Sequence, residues 1–206
     1  MSQRSVESGL NLHQQVFGAY IVVVHYLLLF VLSAISMKFF SEEKSQKTFP
    51  LLLSSPLSSW QIVLAKFGGG ALVAFALLVV SMAYPLSLLI FTELSWGPFL
   101  TSYFGLYLLL LVYTASGMVA SAMTGSSVLA VVVGVTLNLS LLLVGTGRNF
   151  FSGTVWGRIF EFISVDYQLA FFRVGNLSLA GVVFFVSVVG VLLLICERVV
   201  EFHRWR

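Results

Sequence analysis

Five long apolar runs alternate with short polar stretches along this chain, and the pattern dictates most of its organisation. The runs cover about residues 16–36, 68–91, 98–122, 127–145 and 178–196. Each has the roughly 20 apolar residues that a helix needs to cross a bilayer. None has the polar face that a helix of a soluble bundle would show, and none has the ten-residue alternation of a membrane β-barrel. The reading is an all-α polytopic membrane protein, a single domain over 1–206 with five transmembrane helices. Residues 1–15 read as a polar, mixed N-terminal tail. They lack the basic start and small-residue cleavage site of a secretory signal.

Two polar stretches stand out. The first, residues 38–67, reads as an elbow of two short helical pieces. Thr48 is a candidate cap for the first piece, with Pro50 in its opening turn. Ser55 and Pro56 are the expected cap and first position of the second. There Leu57, Trp60, Leu64 and Phe67 form one helical stripe, suited to a membrane surface or to a soluble partner. Gly68, Gly69 and Gly70 follow, where either close backbone approach or a swinging hinge would use glycine. The second stretch, residues 150–175, carries Trp156, Ile159, Phe160, Ile163, Tyr167, Ala170 and Phe171 at helical spacing. It reads as an interfacial amphipathic helix broken near Val165.

Inside the spans, Pro85 should kink the second helix. Gly117 and Ser121 offer a small-residue packing face in the third, and Asn138 a polar tie in the fourth. His25 lies mid-span. With no acidic partner in any span it reads as a neutral ring bonded to a neighbouring helix rather than as a proton relay.

Composition agrees with the pattern. Of 206 residues, 59% are hydrophobic and 9% charged, against about 25% charged in soluble domains. No Asp, Glu, Lys or Arg occurs between Leu94 and Gly147. The basic residues flank spans, which excludes a nucleic-acid face and reports orientation. Lys38, Lys44, Lys47, Lys66, Arg198, Arg204 and Arg206 fall on one side, and Arg4, Arg148, Arg158 and Arg173 on the other. The predicted arrangement has the N-terminus outside and the elbow and C-terminus in the cytoplasm, with the amphipathic segment outside.

Candidate chemistry is sparse. There is no nucleotide-binding glycine loop, no paired-cysteine or HExxH metal motif and no nucleophile elbow. Cys196 cannot form an internal disulfide, and His13, His25 and His203 fall at three different depths. The expectation is a passive permease with no catalytic residues, no metal and no cofactor of its own.

The string MKFFSEEKSQKTFPLLLSSPLSSWQIVLAKF then carries a resemblance. Met37, Glu42, Glu43, Lys44, Thr48, Leu51, Leu52, Leu53, Pro56, Trp60, Lys66 and Phe67 match the coupling segment of ABC type-2 transporter permeases, particularly the gliding-motility and copper-site-assembly type. Tyr84-Pro85, Trp96-Gly97-Pro98, Ser164 to Gly175 and Arg204-Trp205 also match, so the resemblance covers nearly the whole chain. It implies a multi-pass inner-membrane exporter subunit that pairs with a second permease copy or a homologous permease. A separate ABC ATPase would bind the ATP and Mg and engage Glu42, Glu43, Lys44, Thr48, Leu51, Leu52, Leu53, Ser55, Pro56 and Trp60. The resemblance implies three departures: no counterpart of the family's first span, through a misplaced or shortened start or as a five-span variant; Lys47 where Gly is usual; and Pro50 where an acidic residue is usual. The alternative reading is a non-transporting membrane anchor that recruits a soluble complex through the same elbow. A proton- or sodium-coupled transporter would rest on His25 alone.

Overall fold

The structure, a computed structural model, describes residues 3–36, 38–49, 57–88, 96–146, 160 and 162–204. Among these there is no strand. The helices are α1 (Gln3–Ser36), α2 (Ser41–Ser45), α3 (Ser59–Ser81), α4 (Ala83–Leu88), α5 (Trp96–Met123), α6 (Ser127–Leu143), α7 (Val165–Arg173) and α8 (Leu179–Arg204). Among the described residues four helical stretches are long and apolar enough to cross a membrane, and α6 is a shorter apolar helix.

α5 is the central helix. It packs against α1, α3, α6, α7 and α8, and every residue from Val112 to Ala122 is buried. The sequence VYTASGMVASA explains this. Small side chains let neighbouring helices approach closely, which is how apolar helices gain contact energy where lipid supplies no hydrophobic drive. A methyl group added at Gly117 would overlap Ser36 of α1, and Gly134 of α6 lies over Gly117 from the other side. Asn138 sits at this same three-helix junction. Its Nδ2 donates to Ser33 Oγ at 2.9 Å and its Oδ1 accepts from Ser116 Oγ, so one amide ties α1, α5 and α6 together.

Near the other end of the bundle, Pro85 has a specific consequence. Proline cannot donate to the carbonyl four residues back, which is that of Ser81. The helix breaks at Met82, and the freed Ser81 carbonyl accepts from the hydroxyls of Tyr20 at 2.5 Å and Tyr103 at 3.3 Å. Tyr84 stacks on Tyr20 with ring centroids 4.7 Å apart. The break is therefore held by aromatic groups from α1 and α5.

α7 packs on the first turns of α5. Phe172, fully buried, sits where Gly105 of α5 and Gly181 of α8 leave room. Its carbonyl accepts from Thr101 and Ser102 hydroxyls at 3.0 and 3.3 Å. The helix ends in a Schellman turn, Asn176 N–H to Phe171 O and Gly175 N–H to Phe172 O, with Gly175 in the left-handed region at φ 87°.

Four expectations change. Residues 3–15 continue α1, which therefore begins well ahead of the span expected from residue 16; no proline intervenes, and Gly9 lies inside the helix. The described helix after the elbow starts at Ser59, not after Ser55: Ser58 and Gln61 form a capping box that satisfies the amides of both residues. That helix then runs on unbroken through Gly68, Gly69 and Gly70 as the second span, so the elbow's second piece and the span are one element. Gly70 serves close approach, since a methyl there would overlap Phe39 and Thr114. In α7 the inward face is Val165, Gln168, Leu169 and Phe172, while Ile163 and Ala170 of the expected apolar stripe face outward. Packing against α5 wins over the lipid-facing pattern, and Gln168 is accommodated by donating to the Phe162 carbonyl at 3.0 Å. The break expected near Val165 falls at Ser164, which caps α7. Trp156 and Ile159 lie outside the described residues.

Candidate functional site

The elbow stands at one end of the bundle with the α5–α6 turn and the last turns of α8. Its short helix α2 is held at both ends by named groups. At the N-terminus the Ser121 hydroxyl of α5 accepts from the amides of Phe40 at 3.0 Å and Ser41 at 2.9 Å. These are two of the donors that a helix start leaves unsatisfied. Ser121 is thus a cap for another element rather than only a small packing residue. In return, Lys44 of α2 donates to the Ala122 carbonyl, at the C-terminal end of α5. A cation there also meets the negative end of that helix's dipole. The elbow and the central helix cap each other.

The C-terminus of α2 is a second Schellman turn. Thr48 N–H bonds to Glu43 O at 2.9 Å and Lys47 N–H to Lys44 O at 3.2 Å. Lys47 occupies the left-handed position, φ 59°, where Gly175 sits in the turn after α7. The Thr48 hydroxyl also points back to Glu43 O at 3.3 Å. The helix that Thr48 was expected to cap lies outside the described residues.

Charge and aromatics fasten the elbow sideways. Lys66 of α3 reaches Glu43 at 2.6 Å and the Phe39 carbonyl at 2.5 Å, and lies 4.9 Å from the centre of the Phe40 ring. The other Glu43 oxygen, Oε2, is buried without a hydrogen bond among the described residues. Glu42 takes no part in this network and accepts weakly from Gln46 at 3.4 Å. Phe40 and Phe49 meet edge to face at 6.3 Å, and Phe49 meets His203 of α8 at 6.0 Å. These aromatics join Ile62, Val63, Met118, Val119, Cys196 and Val200 in a core of their own, separate from the mid-bundle core around Leu29, Leu109 and Tyr113. Lys44 Nζ lies 3.5 Å from His203 Nε2, and His203 Nδ1 donates to the Val199 carbonyl at 2.7 Å.

The outward face at the start of α3 carries apolar side chains beside the polar Ser58 and Gln61. Leu57, Trp60 and Leu64 are exposed, while Ser59, Ile62 and Val63 of the same helix face inward. Leu51, Leu52, Leu53, Ser55 and Pro56 lie outside the described residues. Of the residues read from sequence, Glu43, Lys44 and Ser121 come together; Glu42 and Trp60 sit on outer faces; Pro85, Gly117 and Asn138 lie elsewhere in the bundle. Phe40, Phe49 and His203 were not anticipated. Apolar aromatics inside an otherwise charged segment were the available signal for the first two.

His25 is buried, and its Nε2 lies 2.5 Å from the Tyr113 hydroxyl of α5, with the rings stacked at 5.8 Å. It is an interhelical hydrogen bond.

The constellation attaches a small polar element to the C-terminal end of the central helix of an apolar bundle. A chain with several helices of membrane-crossing length and composition is a multi-pass membrane protein. Residues 2–154 match the family model described as ABC-2 family transporter protein, and the chain belongs to that family. It is a membrane permease subunit of an ABC transporter, a family that normally works with an ABC ATPase. No curated protein matches it.

Proposed function

We propose that the chain is the membrane half of an exporter of the gliding-motility and copper-site-assembly kind. Two permease copies would work with a separate ATPase that binds ATP and Mg and docks on the elbow in the cytoplasm of the inner-membrane face. The observation that carries this reading is the reciprocal capping between α2 and α5. A displacement of α2 by a docked motor is handed to α5, and α5 touches nearly every other span. The amides held by Ser121, the Lys44–Ala122 bond and the Glu43–Lys66 pair make α2 move with the bundle rather than slide over it. The Asn138 tie passes the motion on to α1 and α6.

A non-transporting anchor would have no use for a stiff link from the docking element to the central helix. A proton-driven transporter would need an ionisable relay, and His25 is engaged with Tyr113.

The test replaces Leu57 and Trp60, both exposed, with serine. The expected result is normal membrane insertion and loss of ATPase co-purification. An ATPase that still co-purifies with the double variant would remove the elbow as its docking site.

A further inference from the structure

A shallow, open groove of about 530 Å³ lies along the last turns of α8 beside the end of α5. Its walls are apolar, with Met123, Leu194, Ile195 and Phe202 among them, and its ionisable lining residues are Arg198 and His203. We propose that this groove holds one anionic phospholipid, its acyl chain along Leu194 and Ile195 and its phosphate at Arg198, beside the Lys44–His203 contact.

Depth is the first argument. Leu179 to Cys196 carries no charge, and those residues rise about 27 Å as a helix, close to the hydrocarbon thickness of about 30 Å. Glu197 and Arg198 therefore mark the hydrocarbon edge. Leu194 and Ile195 lie just inside it, and Phe202 and His203 roughly 8 Å beyond it, among headgroups. The groove thus spans the depth at which a phospholipid changes from tail to phosphate. This placement holds in whichever leaflet the end of α8 lies.

Charge is the second argument. Among the described residues no carboxylate lines the groove. Arg198 does pair with Glu201 at 3.2 Å and Glu197 at 3.7 Å, but its side chain is 78% exposed. Such surface pairs are weak, and the guanidinium has five donors to share. Behind the rim, Lys44 adds a further cation 3.5 Å from His203. A second copy of this chain would bring its own Arg198 and His203 against this rim if the contact were two-fold. A soluble partner would have to displace lipid to reach Leu194 and Ile195. A phosphate at the rim would also adjoin the His203 contacts to Phe49 and Lys44, so the bound lipid would steady the elbow.

The inference rests on the membrane reading and not on ATPase docking, so the test needs only the full chain purified in detergent. Native mass spectrometry would follow retention of phosphatidylglycerol against phosphatidylcholine of the same chains. Wild type is expected to retain one phosphatidylglycerol at least fivefold more readily. Ile195→Trp, which fills the groove, should abolish that retained molecule. Arg198→Gln should remove the headgroup preference while leaving acyl binding. Val128→Trp, on the outward face of α6, should change nothing. Equal retention of the two lipids by wild type would overturn the proposal, as would Ile195→Trp behaving like wild type. Disulfide cross-linking between two copies of Ile195→Cys in membranes would seat a second copy in the groove and overturn it too. Should the tryptophan variant not fold, the Arg198→Gln preference decides alone.

Discussion

Replacing Ser121 with alanine tests the link between elbow and bundle at its most economical point. The serine hydroxyl accepts from two buried amides, those of Phe40 and Ser41. No methyl group can replace it. An unsatisfied buried donor costs about 1–3 kcal/mol, and loss of a helix cap typically costs about 1 kcal/mol. The elbow lies at an end of the bundle, where opening lets water reach both amides, so the full penalty is not retained. Local opening should become easier by about 2 kcal/mol, or about 30-fold in its equilibrium constant. Hydrogen exchange of a peptide covering residues 38–49, measured in detergent, reads this directly. Exchange there should quicken by about that factor while peptides from α5 below Val112 stay unchanged. Ser116→Ala, which breaks the Asn138 bond instead, should leave the elbow peptide alone. If Ser121→Ala changes elbow exchange less than threefold, the two amides are not what holds α2, and the transmission argument fails at its first step.

Three further outcomes follow from single contacts. Tyr20→Phe should cost about 1 kcal/mol in the wild type but near nothing in a Pro85→Ala background, because alanine restores an amide that takes over the Ser81 carbonyl; equal costs in a thermal-unfolding cycle would refute the role given to Tyr20. Asn138→Leu should lower stability by about 1–2 kcal/mol through loss of its bonds to Ser33 and Ser116, read as a lowered Tm in detergent, and a neutral or stabilising result would contradict the three-helix tie. Lys47→Gly should slow exchange in the elbow severalfold by relieving left-handed strain of about 1 kcal/mol, whereas Lys47→Ala keeps the strain and should not.

Legibility in the sequence divided along the range of the interactions. The spans were readable because each is a local property: an apolar run of the right length reports itself whatever it packs against. The elbow was readable for the opposite reason, as a charged island where lipid tolerates none. What could not be read is which face of a helix looks inward. In α7 the periodic aromatics suggested one stripe, yet the helix buries Val165, Leu169 and Phe172, since the glycines that receive Phe172 are 67 residues before it at Gly105 and nine after it at Gly181. In lipid both faces of a helix can be apolar, so hydrophobic periodicity loses the power to choose between them that it has in water. Capping failed in a similar way. Ser55-Pro56 and Ser58-x-x-Gln61 are both lawful helix starts on local grounds, and the reciprocal bonds of the second mark where the described helix begins.

Ser121 shows the general form of the problem and why the elbow depends on it. Read locally, a serine among alanines and glycines in a span is a small residue for helix packing. Its decisive partners are amides 80 and 81 positions away, in a helix of five residues that is too short to be stable alone. α2 therefore exists because α5 finishes its N-terminus, Lys66 anchors its flank and the turn at Lys47 closes its end. An element built this way, coupling as proposed above, cannot unfold without releasing the central helix's own C-terminal cap at Ala122. Stability and transmission are then the same set of bonds. Substitutions that weaken the fold of the elbow should uncouple a docked ATPase in proportion, whereas substitutions at Leu57 or Trp60 should lose docking with the elbow intact. A variant with a loosened α2 that still drove full transport would separate the two properties and break this chain of reasoning.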